Sequence, residues 1–199
     1  MTLRVKNIAC VHVLNSYRSY NVDRAKITAI ATEICRRLGV AHYEVCLQFL
    51  SPRAMRTLNH KFREKDKSTD VLSFPQYDFK RPLKVHAAPP ALIPVLNPLP
   101  LGDVVISIAD AASNARDAGQ LLDREVCFLV IHGILHLVGH DHMKAVEKKL
   151  MFTEQKKLMR IFAGSKSKAA AWSECAVPAL KKAKTSKKAK TSKTSKRRA

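Results

Sequence analysis

Eleven residues, HGILHLVGHDH from His132 to His142, constrain this chain more than any other stretch. An α-helix turns about 100° and rises about 1.5 Å per residue, so His132 and His136 lie one above the other on one face, where two imidazoles can converge on an ion. Gly139 tolerates the left-handed conformation with which helices commonly end, and a reversal there can bring His142 to the same point. Three imidazoles with no obvious fourth protein ligand leave a position open for water. That arrangement is typical of a single catalytic zinc, whereas structural zinc sites are closed and rich in cysteine. A purely structural role for the three histidines is the alternative.

The same spacing of His, His, Gly and His occurs in the metzincin proteases, where a Glu directly after the first His is the general base. Here that position is Gly133. A glycine cannot take a proton from water, so the metal reading survives while the peptidase reading loses its central group.

The formal charge is +20, and ten Lys or Arg with no acid fall within residues 181 to 199, so the tail and the rest of the chain contribute about equally. Both parts point to a polyanionic partner, most plausibly nucleic acid. Five cysteines, Cys10, Cys35, Cys46, Cys127 and Cys175, are odd in number and contain no CxxC, which argues against a disulfide framework and a thiolate zinc site and favours a reducing compartment. Cys127 reads as core packing and not as a nucleophile. No apolar run reaches the length of a membrane span and no signal peptide is evident, so a soluble cytoplasmic protein is expected. An organellar matrix is the alternative, because Arg4, Lys6 and Arg18 precede the first acid at Asp23.

Along the chain, Leu3 and Val5 alternate with Arg4 and Lys6 as a weak strand. Ile27, Ile30, Ala31, Ile34 and Leu38 form one stripe of a helix that opens near Asp23 and closes at Gly39. Val45, Leu47 and Phe49 mark a half-buried strand. Ser51 and Pro52 read as an N-cap and first helical position, with Met55, Leu58 and Phe62 as the buried face of a second helix. Asp70 to Phe74 is a short strand ended by Pro75. Residues 75 to 100 hold seven of the nine prolines and read as a long loop, whose length suits a lid, a binding surface or an insertion. Gly102 to Ile108 is a buried strand and Ala109 to Ala118 a short helix. Asp123 is a plausible N-cap for the histidine helix, with Val126, Leu129, Val130, Gly133 and Leu137 facing the core. Glu125 could brace an imidazole, or simply favour the positive end of that helix. Leu150, Met151, Leu158 and Ile161 support a last helix to about Phe162. The boundary falls near residue 163. Beyond it, residues 164 to 199 read as a disordered Lys-rich tail in which KKAKTS occurs twice, and which either holds phosphates without reading sequence or serves as a solubilising or localisation tail.

HGILHLVGHDH together with TDVLSFP (69 to 75), LGDVVIS (101 to 107) and LNHKFREKDKS (58 to 68) resembles the YbeY family of rRNA-maturation endoribonucleases, in consistent order from about residue 3 to residue 162. The resemblance implies a single compact α+β domain, a small mixed sheet packed with helices, spanning residues 1 to 163 with the Pro-rich stretch at about 76 to 100 inserted. It implies one zinc ion held by His132, His136 and His142, and a functional Arg at Arg63. The implied activity is metal-dependent cleavage of single-stranded RNA in maturing the small-subunit rRNA 3′ end and in ribosome quality control, with the ribosome or its small-subunit proteins as partners. Where the family usually has an aromatic residue this chain has His140, which could compete with His142 if the helix ran past Gly139; Asp141 and His142 match the family's pair.

Mechanistically, the ion would polarise a phosphodiester oxygen or acidify a water, and Arg63 would stabilise charge on the phosphoryl oxygens. His132 and Arg63 are thus the candidate catalytic residues. The general base stays unassigned among His140, Asp70 and Asp103. Two rival readings stand beside this one: a zinc peptidase with a displaced base, and a non-catalytic, zinc-stabilised module that docks on the ribosome.

Overall fold

The computed structural model describes residues 10–79, 82 and 98–162. Among these the order is β1 (Cys10–Asn15), α1 (Arg24–Arg37), β2 (Tyr43–Leu50), α2 (Pro52–Arg63), β3 (Val71–Pro75), β4 (Leu99–Ser107), α3 (Ile108–Asp117), α4 (Leu122–Leu137) and α5 (Ala145–Phe162). The expected α+β domain with a small mixed sheet is what forms. The sheet runs β1-β2-β4-β3, with β1, β2 and β4 parallel and β3 antiparallel to β4 at the edge.

Alternation decides which face each strand residue serves. In β2, Tyr43, Val45, Leu47 and Phe49 are buried and the residues between them are not. They share the main core with Val104 and Ile106 of β4, the apolar stripe of α1, and Val126, Leu129, Val130, Ile134 and Leu137 of α4. Among the described residues the opposite face is covered by α2, where Met55, Leu72 and Val105 make a small second cluster flanked by Leu50, Leu58 and Phe74. Glycine at 133 lets α4 approach the sheet: a Cβ there would lie 2.3 Å from Val104 Cγ1.

Local signals hold at several ends. Asp23 accepts from Lys26 N at 3.0 Å and Ser51 Oγ from Ala54 N at 3.3 Å, both satisfying first-turn amides. Gly39 closes α1 at φ 73°.

Other expectations need correcting. The histidine helix starts at Leu122, and Asp123 lies in its first turn, paired with Lys26 Nζ at 2.8 Å instead of capping. Phe62, Leu150 and Ile161 are about half exposed, while Asn59 and Gln155 take the buried positions on α2 and α5. Asn59 earns its place by donating to Lys67 O at 2.7 Å, which ties down the loop after α2. Strand β4 begins three residues before Gly102, at Leu99. Pro100 is accommodated beside a register shift between Glu44 and Val45, where an irregular ladder tolerates a missing amide donor. Strand β1 lies C-terminal to the Leu3–Val5 alternation, which falls outside the described residues, as do most of the Pro-rich stretch and the Lys-rich tail.

Candidate metal centre

Helix α4 carries His132 and His136 one turn apart, on the flank between its core face and solvent. The helix ends at Leu137, and the turn that follows has the hydrogen bonds of a Schellman motif: Gly139 N donates to His136 O at 3.0 Å and His140 N to Leu135 O at 3.0 Å, with Gly139 at φ 87°. The reversal aims His142 back at the helix. Asp141 Oδ1 accepts from His142 N at 2.7 Å and fixes the last step of the turn.

As a result, ring nitrogens of His132, His136 and His142 all lie within 4.8 Å of one another. His132 Nε2 and His136 Nε2 are 3.2 Å apart. His140 does not join them; its ring Nδ1 is buried without a hydrogen-bond partner among the described residues. The helix stops where Gly139 requires, so the competition between His140 and His142 does not arise.

Burial pushes the His132 and His136 rings toward the neutral form, His136 to about 4, with the neighbouring imidazoles adding to the effect at His136. Neutral imidazole is the form that donates a lone pair to a metal. On His132 the orientation is also set: Gln155 of α5, 4% exposed, places Oε1 3.2 Å from His132 Nδ1. An amide oxygen only accepts, so Nδ1 carries the hydrogen and Nε2 keeps its lone pair facing the cluster. Three converging ring nitrogens, two of them pushed toward the neutral form by burial and one oriented by Gln155, fit a borderline divalent cation. Phe128, one turn earlier, stacks on the His132 ring at 5.9 Å between centroids and an interplanar angle of 16°.

Gln155 was not anticipated from sequence, where Glu125 was the candidate brace. Glu125 instead accepts from Gln120 Nε2 at 2.5 Å, and burial raises its carboxyl above the usual range. A polar residue at the otherwise apolar spacing Met151, Gln155, Leu158 is the signal that could have found Gln155.

Of the three suggested bases, Asp70 accepts from Val71 N at 2.8 Å, Thr69 Oγ1 at 3.2 Å and Asn114 Nδ2 at 3.0 Å, and its charge acts on the His132 ring, partly opposing the effect of burial there. Asp103 lies beside Cys46 on the α2 side of the sheet. His140 stands apart as described. Arg63 is exposed at the last position of α2, on the other sheet face from α4, and forms no ion pair with any described residue. Cys127 is core, its thiol pushed up to about 12 by burial. Gly133, where a metzincin has its base, has no room for a side chain against Val104.

Comparison with known proteins gives the family. The family model described as endoribonuclease YbeY matches residues 12–163. A protein of Halalkalibacterium halodurans named endoribonuclease YbeY is 34% identical over 66% of this chain and 79% of its own length. Its namesake in Caldicellulosiruptor bescii is 33% identical over 75% of this chain and 95% of its own. A solution structure of a Thermotoga maritima protein shares the fold with a TM-score of 0.52 at 24% identity, covering 85% of this chain and 98% of that one. With the match running from β1 through α5 and including the whole histidine stretch, the chain belongs to the YbeY endoribonuclease family.

Proposed function

We propose that the chain is a zinc-dependent endoribonuclease that cuts single-stranded RNA, acting in maturation of the small-subunit rRNA 3′ end and in ribosome quality control. The observation that carries this is the convergence of three ring nitrogens within 4.8 Å, on a helix and turn that offer no fourth side chain. Family membership supports RNA as the substrate, and the charge of +20 supports a polyanion. In this reading residues 1–163 are the catalytic unit, with an insertion at about 76–100, and residues 164–199 are a basic tail. The ribosome or its small-subunit proteins are the partners and the cytoplasm is the site of action.

His132, His136 and His142 hold the ion. Zinc, when bound, supplies Lewis-acid polarisation of a phosphodiester oxygen or a water acidic enough to ionise near pH 7. The protein supplies the rest. Gln155 holds the His132 ring in register and Asp141 holds the turn. Arg63, exposed at the end of α2 and without a partner among the described residues, is the residue we assign to forked hydrogen bonds with phosphoryl oxygens, the RNA having to bend round the β3 edge for this charge and the ion to act on one phosphate.

Metal content by elemental analysis, beside a gel assay on single-stranded RNA, tests the assignment. His136→Ala loses both metal and cleavage. Arg63→Ala keeps the metal and loses cleavage by roughly 100-fold or more. A fully active Arg63→Ala enzyme would sink the role given to that residue, and metal-loaded wild type that leaves RNA intact would sink the whole reading. Mapping the ends cut from rRNA precursor by wild type, against a His132→Ala control, tests the rRNA assignment.

A further inference from the structure

We propose that the outer face of α2 and the loop after it form a docking surface for the RNA strand that enters the histidine site. The inference rests on the endoribonuclease reading above and adds where the substrate is gripped.

Residues 53–67 contain six Lys or Arg against only Glu64 and Asp66. Arg56 is engaged by Asp66 through two hydrogen bonds at 2.7 and 2.5 Å. Lys61, Arg63, Lys65 and Lys67 are exposed, and none forms an ion pair among the described residues. Among these cations stands Phe62, 55% exposed although its position on the helix was expected to be core. Its ring is held edge-on by Phe74 at 5.0 Å between centroids and 65°, with Lys61 Nζ 5.2 Å from its centre. A fixed, half-exposed aromatic ring flanked by cations is the pairing that single-stranded nucleic acid recognition uses: the ring stacks a base while the cations take phosphates.

The placement links this surface to the metal centre. Strand β3 is the sheet edge. Its Leu72 and Phe74 meet α2, and its other face meets α4, where Ser73 Oγ donates to Gly133 O at 3.4 Å, one residue from His132. Among the described residues β3 is the one strand that touches both helices on this edge, and this shared contact is the ground for placing the α2 surface and the histidines along one RNA strand. An acidic protein surface would satisfy the cations equally well, but it has less use for a bare phenyl ring among them.

The test uses the full chain and a fluorescent single-stranded RNA of about twelve nucleotides, with anisotropy read in chelator across a salt series and cleavage kinetics read in the loaded enzyme. Three variants are compared: Phe62→Ala, the triple Lys61→Glu/Lys65→Glu/Lys67→Glu, and as a control of equal charge change the triple Lys148→Glu/Lys149→Glu/Lys156→Glu on α5. All sites are exposed, and thermal denaturation checks that each variant folds. Phe62→Ala is expected to weaken binding about 10-fold with the salt slope unchanged. The α2 triple is expected to lower the slope by about 2, the value for three single-strand phosphate contacts, and to raise KM while leaving kcat within about twofold. The α5 triple changes the slope by clearly less. Equal losses in the two triples, or wild-type affinity in both α2 variants, would overturn the surface and favour non-specific charge or a protein partner. Wild type that binds through α2 yet never cleaves would instead overturn the endoribonuclease reading and leave the surface standing.

Discussion

Helices α4 and α2 cover opposite faces of one sheet, and they divide the chemistry between them. Ten of the sixteen residues of α4 are buried, against Met55 and Asn59 alone in α2. Burial keeps imidazoles neutral and therefore able to donate lone pairs; exposure keeps guanidinium and ammonium groups charged and free to meet phosphate. The difference teaches how one small sheet keeps a buried histidine cluster and an exposed cationic surface apart, on separate faces with the edge strand β3 between them.

The sharpest way to break this division is to put a charge where α4 is most tightly packed. Gly133→Glu, which restores the metzincin-like base, forces a Cβ to 2.3 Å from Val104 Cγ1. The expected outcome is a destabilisation of about 3 kcal/mol or more, with loss of metal and no peptidase activity, read by denaturant titration and elemental analysis. A stable, metal-loaded Gly133→Glu protein would show that the close approach is not needed.

Next in size is the support behind His132. Gln155→Met keeps length and burial but removes the acceptor, and is expected to weaken metal affinity about 10- to 100-fold in chelator competition while leaving the metal-free melting temperature nearly unchanged. Equal affinity in the two proteins would reduce Gln155 to packing.

A third effect follows from the neutral rings. The folded pKa of His136 is depressed to about 4, below the ordinary histidine value, so the folded state binds fewer protons than the unfolded chain between the two. Stability of the metal-free protein is therefore full above the ordinary value, near 6.5, and falls as pH drops through the folded pKa. Melting temperature in chelator, measured from about pH 7 down to about pH 4, should decline over that window, and His136→Phe should flatten part of the decline.

The smallest effect is on thiols. Burial pushes Cys35 and Cys127, on the α4 side of the sheet, up to about 12. At about pH 8 both should resist alkylation in the native protein while the partly exposed Cys10 is modified, and Cys46, whose thiol burial and the neighbouring Asp103 push up, should react more slowly than Cys10; peptide mass mapping distinguishes them.

The same contrast explains what could be read without coordinates. The ligand spacing was legible because His132, His136, Gly139 and His142 obey local rules, helical period and a left-handed stop, that need no tertiary partner. The cores of α1 and β2 were legible for the same reason. Phe62 was misassigned because its period fits a buried stripe, and only the narrow span of sheet beneath α2 leaves it outside. Gln155 was missed because its partner lies 23 residues earlier in sequence, and no local pattern encodes that meeting. Asp123 lost its expected capping role to Lys26, a partner 97 residues away.

That same 23-residue separation has a consequence in time. A chain being synthesised from its N-terminus acquires all three histidines by residue 142, but the acceptor that turns the His132 lone pair inward arrives only with residue 155, on the last described helix. A nascent chain halted between those points carries the ligands without their alignment. Alignment of the histidine cluster therefore depends on nearly the whole described domain being in place, because the contact that orients His132 comes from its last helix.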